Sequence, residues 1–154
     1  MSYISKYTGQ EIDNKLDKIE KIQTSYKEKE LLSAPIEYDL GINEMIQFHQ
    51  DLALIDNLAD YNELVISYDY KMGESYYTHN FDMHILTSNI VFHNSDTQLA
   101  NGERRTIILF DKYEYFLGFW FKDTHTIHIS HTNTRQSELF YNKIRIRSIK
   151  GIKY

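Results

Sequence analysis

The beginning of the chain carries a helical pattern of hydrophobic positions. Apolar or aromatic side chains, with one glutamine among them, recur at steps of four and three at Ile12, Leu16, Ile19, Gln23 and Tyr26. This is the a and d spacing of a heptad repeat, and it predicts a helix with one narrow apolar face. Thr8 and Glu11 have the spacing of a capping box, so we expect the helix to begin there. The pattern predicts an oligomeric coiled-coil stalk; the alternative is a helix packed on its own domain.

A change of composition marks the end of this helical pattern. Residues 26–35, YKEKELLSAP, combine a run of charges with a proline, which is typical of a helix end. We therefore predict two parts, an N-terminal docking segment and helix in residues 1–34 and a β domain in residues 35–154.

After Pro35 the hydrophobic period changes to two, which predicts half-buried strands. Apolar or aromatic residues alternate with mostly polar ones at Leu64, Ile66, Tyr68, Tyr70, Ile144 and Ile146. Denser apolar runs in residues 83–93, 105–111 and 113–121 are typical of strands in the middle of a sandwich, while residues 42–55 fit a helix or a strand. Turn-rich segments separate the runs. The predicted fold is mainly β, an N-terminal α-helix (a coiled-coil stalk) followed by an antiparallel β-sandwich of jelly-roll type.

Composition narrows the classes of partner. The 13 tyrosines and an aromatic fraction of 14% favour β structure and interfaces. A net charge of −5 disfavours nucleic acid. The absence of cysteine fits assembly in a reducing cytoplasm and excludes thiolate chemistry. Because no apolar run reaches the roughly 20 residues of a membrane span, and the polar start lacks a signal-peptide core, we expect no membrane span and no classical secretion.

Three histidines in HTIHISH, His125, His128 and His131, form the sharpest candidate for chemistry. On a helix they would line one side and suit a metal ion. The β-branched residues between them favour a strand, in which His125 and His131 share a face about 20 Å apart and His128 points the other way. We expect exposed or interstrand histidines, no cofactor and no intrachain metal. A structural ion on a symmetry axis of an oligomer is the remaining metal hypothesis.

Catalytic patterns are absent from the sequence, which contains no nucleophile elbow, zinc-protease motif or phosphate-binding glycine loop. Asp56, Asp60, Asp69 and Asp82 lie beside turn residues, where carboxylates usually bind loop backbone. A further hypothesis is carbohydrate binding through exposed aromatic side chains. The candidates are Tyr76, Tyr77, Trp120 and Tyr141, although Trp120 fits a core or interface position better.

Three segments resemble parts of short bacteriophage virion appendage proteins of the head- or tail-fibre type. YTGQEIDNKLDKIE, from Tyr7, resembles the coiled-coil start of phage tail and fibre chains. DNLADYNELVISYDY, from Asp56, resembles the polar bend that leads into an alternating strand in their small β-sandwich modules. KIRIRSIKGIKY, from Lys143, looks like the closing strand of those modules, with its I-x-x-I-x-G-I pattern. The three segments occur in the order found in a short fibre chain.

The resemblance implies a non-enzymatic structural protein of the virion, assembled in the host cytoplasm as a homotrimer. It implies that the residues before Thr8 dock on other virion proteins and that Leu58, Tyr61 and Leu64 anchor the bend in the core. A receptor- or glycan-binding tip, with a host-surface glycan as partner, is the alternative. A glycan hydrolase is the third hypothesis.

Overall fold

Antiparallel β-sheets and one helix make up the described part of the computed structural model, which covers residues 8–72, 74–76, 81–93, 105–110, 114–134 and 142–154. The prediction of a mainly β chain with an N-terminal helix is confirmed. The helix is α1, Gly9–Ser25. The strands are β1 Lys27–Glu30, β2 Ile36–Asp39, β3 Met45–Ala53, β4 Glu63–Met72, β5 Ser75–Tyr76, β6 Phe81–Leu86, β7 Arg105–Phe110, β8 Glu114–Asp123, β9 Thr126–Thr134 and β10 Lys143–Lys153.

The strands form two sheets in which distant parts of the chain pair. The first sheet is built on β10 and β4, with β1 and β2 along the other edge of β10 and β5 and β6 along the other edge of β4. The second sheet has the order β3, β9, β8, β7. The early strands β2 and β3 therefore pair with the late strands β10 and β9.

Helix α1 begins at the predicted capping box. The Thr8 backbone N–H donates to Glu11 Oε2 at 2.7 Å, and the Glu11 backbone N–H donates to Thr8 Oγ1 at 3.3 Å. These two reciprocal bonds satisfy N–H groups that the first turn of a helix leaves without partners. The sequence pattern therefore locates the helix start correctly.

The helix ends earlier than expected, because the charged segment after it is a strand. Lys27–Glu30, predicted to be part of the helix end, pairs with β10 along its C-terminal half. Charged side chains are typical of an exposed edge strand. Glu28 Oε1 on β1 forms an ion pair with Lys150 Nζ on β10 at 2.7 Å. The predicted boundary between residues 34 and 35 thus falls between β1 and β2, two strands that pair with the same partner.

The structure differs from the prediction in residues 83–93 and assigns a strand to the ambiguous residues 42–55. The run in residues 83–93 is not one central strand, since β6 ends at Leu86 and a 3₁₀ helix, Thr87–Asn89, follows. Among the described strands, β6 pairs with β4 alone. The ambiguous residues 42–55 contain strand β3, which pairs with β9.

Irregular registers in both sheets reverse the inward and outward alternation of the side chains. Between Ile146 and Ser148 the pairing of β10 with β4 shifts by one residue. Against β8 the extra residue lies in β9, between His131 and Ile129. Against β3 it lies in β3, between Gln47 and Gln50. Such bulges insert one residue and change the faces on which the following side chains lie.

One hydrophobic core receives side chains from both sheets. The first sheet contributes residues such as Leu64, Ile66 and Ile144, and the second contributes residues such as Phe119 and Ile129. Hydrogen bonds also connect the sheets, because Thr132 Oγ1 on β9 donates to the backbone oxygen of Asp39 on β2 at 2.7 Å. Burial of these apolar side chains between the two sheets stabilises the fold.

Candidate functional site

The predicted helical seam lies on a helix whose described side chains are all exposed. From Thr8 to Lys18 every side chain is solvent-exposed, including Ile12, 39% exposed, and Leu16, 52% exposed. Ile19 and Gln23 belong to α1, but their side chains lie outside the described part of the structure. Tyr26 follows the last helical residue and is exposed, so the helical register does not extend to this position. The structure therefore leaves the described apolar stripe of the helix in water.

The predicted bend anchors are all buried. Leu58 begins a 3₁₀ helix, Leu58–Asp60, which Asn57 caps by accepting from the Ala59 backbone N–H. Leu58, Tyr61 and Leu64 are 1%, 9% and 0% exposed, and all three belong to the core. The short helix turns the chain without glycine or proline, after which β4 starts at Glu63.

The ring of Tyr61 packs directly on Gly151 of the closing strand. A Cβ atom at Gly151 would lie 2.5 Å from Tyr61 Cγ, a distance that real Cβ contacts essentially never show. The backbone also joins the two segments, since the Asn62 N–H donates to the Ile152 carbonyl at 2.8 Å. Glycine is therefore required at position 151 by the approach of an aromatic ring.

The tyrosine hydroxyl completes a small polar cluster at the bend. Tyr61 Oη donates to Asp56 Oδ2 at 2.8 Å, and Lys29 Nζ on β1 donates to the same oxygen at 2.8 Å. The Lys29 ammonium, then the Tyr61 hydroxyl and the Asn57 backbone N–H, lower the pKa of Asp56 to about 2. The cluster ties β1 to the bend and keeps Asp56 ionised.

The three histidines are arranged differently from the expectation. His125 lies in the turn between β8 and β9, outside the strand. The bulge in β9 then reverses the alternation, and the registers with Trp120 and Gly118 show that His128 and His131 share the outer face. The expectation that His128 lies on the face opposite His131 is therefore wrong. Within the described residues, no group of three potential metal ligands is close enough to hold an ion.

His128 belongs to a cluster on the outer face of the second sheet. Its Nδ1 lies 2.6 Å from Asp51 Oδ1, and Lys122 Nζ lies 2.8 Å from Asp51 Oδ2. The His128 ring also packs on Trp120, with centroids 4.1 Å apart. Trp120 is only 3% exposed, so it does not form a sugar-stacking platform. The side chains of Tyr76, Tyr77 and Tyr141 lie outside the described residues.

The expectation that Asp69 and Asp82 bind loop backbone is wrong, because they lie on strands β4 and β6 and accept from the side chains of Arg145 and Ser67. Both lie in or beside a groove on the outer face of the first sheet, whose other side chains the sequence did not predict as a site. The groove has a volume of about 450 Å³ and is lined by Ser67, Asp82, Arg145, Arg147, Ser148 and Lys150, with Pro35 at its wall. We call it the arginine groove. The sequence does carry a signal for it. Core positions on β10 fall at Ile144, Ile146, Ile149 and Gly151, and the step of three marks the bulge that brings the groove residues to one face.

Two arginines of this groove converge on one buried carboxylate. Arg145 binds Asp69 with two N–H groups, through Nε at 2.8 Å and through Nη2, and Arg147 Nε lies 3.8 Å from Asp69 Oδ2. The Asp69 side chain is 2% exposed. The Asp69 hydrogen bonds raise the pKa of Arg145, which therefore stays charged. This carboxylate fixes the position of the Arg145 guanidinium.

Comparison with known proteins provides no family for this chain. Neither the models of protein families nor the curated protein sequences contain a match. In the described residues, no helix combines the length and apolar character that a membrane crossing requires.

Proposed function

We propose that this chain is a non-enzymatic structural protein of a bacteriophage particle and forms a trimeric fibre or appendage. In this proposal α1 forms a three-stranded coiled coil, and the two sheets form a β-sandwich of jelly-roll type. The residues before Thr8 dock on another virion protein. The chain assembles in the host cytoplasm and functions in the virion.

The exposed helix is the observation that carries the proposal. Ile12 and Leu16 occupy d and a positions of the heptad, yet both stay exposed in the single chain. A narrow apolar stripe with this spacing is the kind of surface that a coiled coil buries between chains. Further copies of the same helix would cover the stripe with side chains of matching spacing.

The contact between the bend and the closing strand gives separate support. These segments carry two of the three resemblances to phage appendage modules, and they lie far apart in the sequence. They meet where Tyr61 packs on Gly151 and where Leu64 pairs with Gly151. The pairing of β2 with β10 and of β3 with β9 is also compatible with a jelly roll, in which early and late strands pair.

A substitution in the helical seam tests the trimer. Leu16→Asp places a charge at an a position, where burial between chains would cost several kcal/mol, so we expect the trimer to dissociate. Sedimentation equilibrium of the full chain measures the mass. Asn14→Asp is the matched control, because it adds the same carboxylate at the outward f position and should leave the trimer intact.

Purified phage particles test whether the chain is part of the virion. We expect the chain in purified particles of the phage that encodes it, as threefold density with the helix directed to the particle. Two results together would contradict the proposal: the wild-type chain sediments as a monomer at all concentrations, and it is absent from purified particles.

A further inference from the structure

The arginine groove exists because of the bulge in β10. Without the bulge, strict alternation would place Arg145 and Arg147 on one face, and Ser148 and Lys150 on the opposite face, toward the core. With it, Ile149 and Gly151 return to the core, and Arg145, Arg147, Ser148 and Lys150 all face the groove. Bulges commonly re-aim side chains beside binding sites, and here the result is a concentrated set of donors.

The groove combines these donors with acceptors. Arg147 has a side chain 38% exposed and lies next to the fixed guanidinium of Arg145. The serine hydroxyls of the lining can donate and accept, and Asp82 Oδ1 accepts from Ser67 Oγ at 2.6 Å. Because an ionised carboxylate offers about four acceptor positions, Asp82 has capacity for further donors. Lys150 also lines the groove and pairs with Glu28 at 2.7 Å.

We propose that the arginine groove binds a sugar that carries a carboxylate, as uronic and sialic acids do. The planar guanidinium of Arg147 matches a carboxylate in geometry and charge. The hydroxyl groups of the sugar donate to Asp82 and exchange bonds with Ser148, and one face of the ring lies along Pro35. The volume of the groove falls within the range of roughly 300–1,000 Å³ that is typical of small-molecule sites.

The acceptors in the groove favour a sugar over a simple anion or a nucleic acid. A sulfate ion has only acceptor oxygens, and a hydrogen phosphate ion has one or two hydroxyl groups beside its charged oxygens. Either ion would therefore face the Asp82 and Asp69 carboxylates with fewer donors than a sugar supplies. A polyphosphate backbone needs a continuous cationic surface, whereas this chain has a net charge of −5. A sugar acid supplies one negative charge and several donors together.

Titration of the full-length wild-type chain with methyl glucuronide and with N-acetylneuraminic acid tests the proposal. We expect backbone amide shifts in the NMR spectrum at Ser67, Arg147 and Ser148 with at least one of the two acids. Methyl glucoside, which lacks the carboxylate, and inorganic sulfate should leave these amides unchanged. This measurement needs no substitution and does not depend on the oligomeric state, so it fails or succeeds separately from the trimer test.

Two variants then connect the binding to the groove. Arg147→Gln should weaken the affinity for the sugar acid about tenfold, the equivalent of one charge-assisted hydrogen bond. Lys143→Gln is the matched control, since it removes a cation from the same strand outside the groove, where it pairs with Asp39, and should change affinity less than twofold by the same reasoning.

Three results would overturn the proposal. The first is the absence of groove shifts with both acids up to their solubility limits. The second is an equal response to sulfate or to methyl glucoside, which would indicate an ion site or a neutral-sugar site. The third is an equal loss of affinity in Arg147→Gln and Lys143→Gln, which would indicate non-specific attraction to charge.

Discussion

Contacts between individual residues explain why the bend carries Tyr61 and why the closing strand β10 carries Gly151. Tyr61 fills the space above Gly151, its hydroxyl bonds Asp56, and Lys29 bonds the same carboxylate from β1. Removal of any one member changes the surroundings of the others, so their energetic effects should not be additive. The glycine and the ionised carboxylate are the two members whose roles can be tested separately.

The Gly151 contact predicts a steric cost for a single methyl group. Gly151→Ala should destabilise the chain by about 1–3 kcal/mol, because the Tyr61 ring is held by the core and by Asp56 and cannot move aside freely. Urea unfolding measures the loss. Gly9→Ala is the control, since nothing lies within 4 Å of the new methyl group at the start of α1. In a Tyr61→Ala background the cost of Gly151→Ala should shrink, and an equal cost in both backgrounds would contradict the steric explanation.

The lowered pKa of Asp56 predicts that the stability of the fold depends on pH in the acid range. Because its pKa is lowered from 3.8 to about 2 in the folded chain, Asp56 stabilises the fold fully above pH 3.8. This contribution should disappear as the pH falls through about 2, where the folded chain also takes up the proton. The difference in unfolding free energy between wild type and Asp56→Asn should therefore shrink over this range. Asp60→Asn removes an exposed carboxylate from the same bend and controls for the loss of one negative charge.

At the scale of secondary-structure elements, the sequence predicts a feature correctly where contacts between near neighbours in the chain determine it. The capping box at Thr8 and Glu11 needs only neighbours within one turn, and the alternation from Leu64 to Tyr70 marks the side chains of β4 that join the core. Both features could therefore be predicted from a single stretch of sequence.

Elements that depend on distant partners could not be predicted in the same way. Strand β1 contains only lysine and glutamate and resembles a helix end, yet it is a strand because β10 offers it an edge. The bulge in β9, opposite His49 with its positive φ of 46°, decides the faces of His128 and His131. The arginine groove was missed for the same reason, although the step from Ile146 to Ile149 was visible in the sequence.

At the scale of the whole molecule, all core residues in the described part of the chain lie after helix α1. The first of them is Leu31, 0% exposed, followed by Leu32, 5% exposed, and both lie before the predicted boundary at residues 34 and 35. Leu31 is also held by backbone bonds, since its N–H donates to Ile149 and its carbonyl accepts from Ile55. The independently folding unit should therefore begin before β1.

Two truncated chains test this placement of the folding unit. A chain of residues 26–154 keeps β1, Leu31 and Leu32, and it should unfold at the same urea concentration as full-length Leu16→Asp, the reference that equalises oligomeric state. A chain of residues 35–154 loses the edge strand and two buried leucines. Since removal of one buried leucine side chain typically costs about 2–5 kcal/mol, we expect this shorter chain to be strongly destabilised or unfolded. Equal stability of the two truncated chains would instead support a boundary at residues 34 and 35, and would show that β1 is an appendage of the helix.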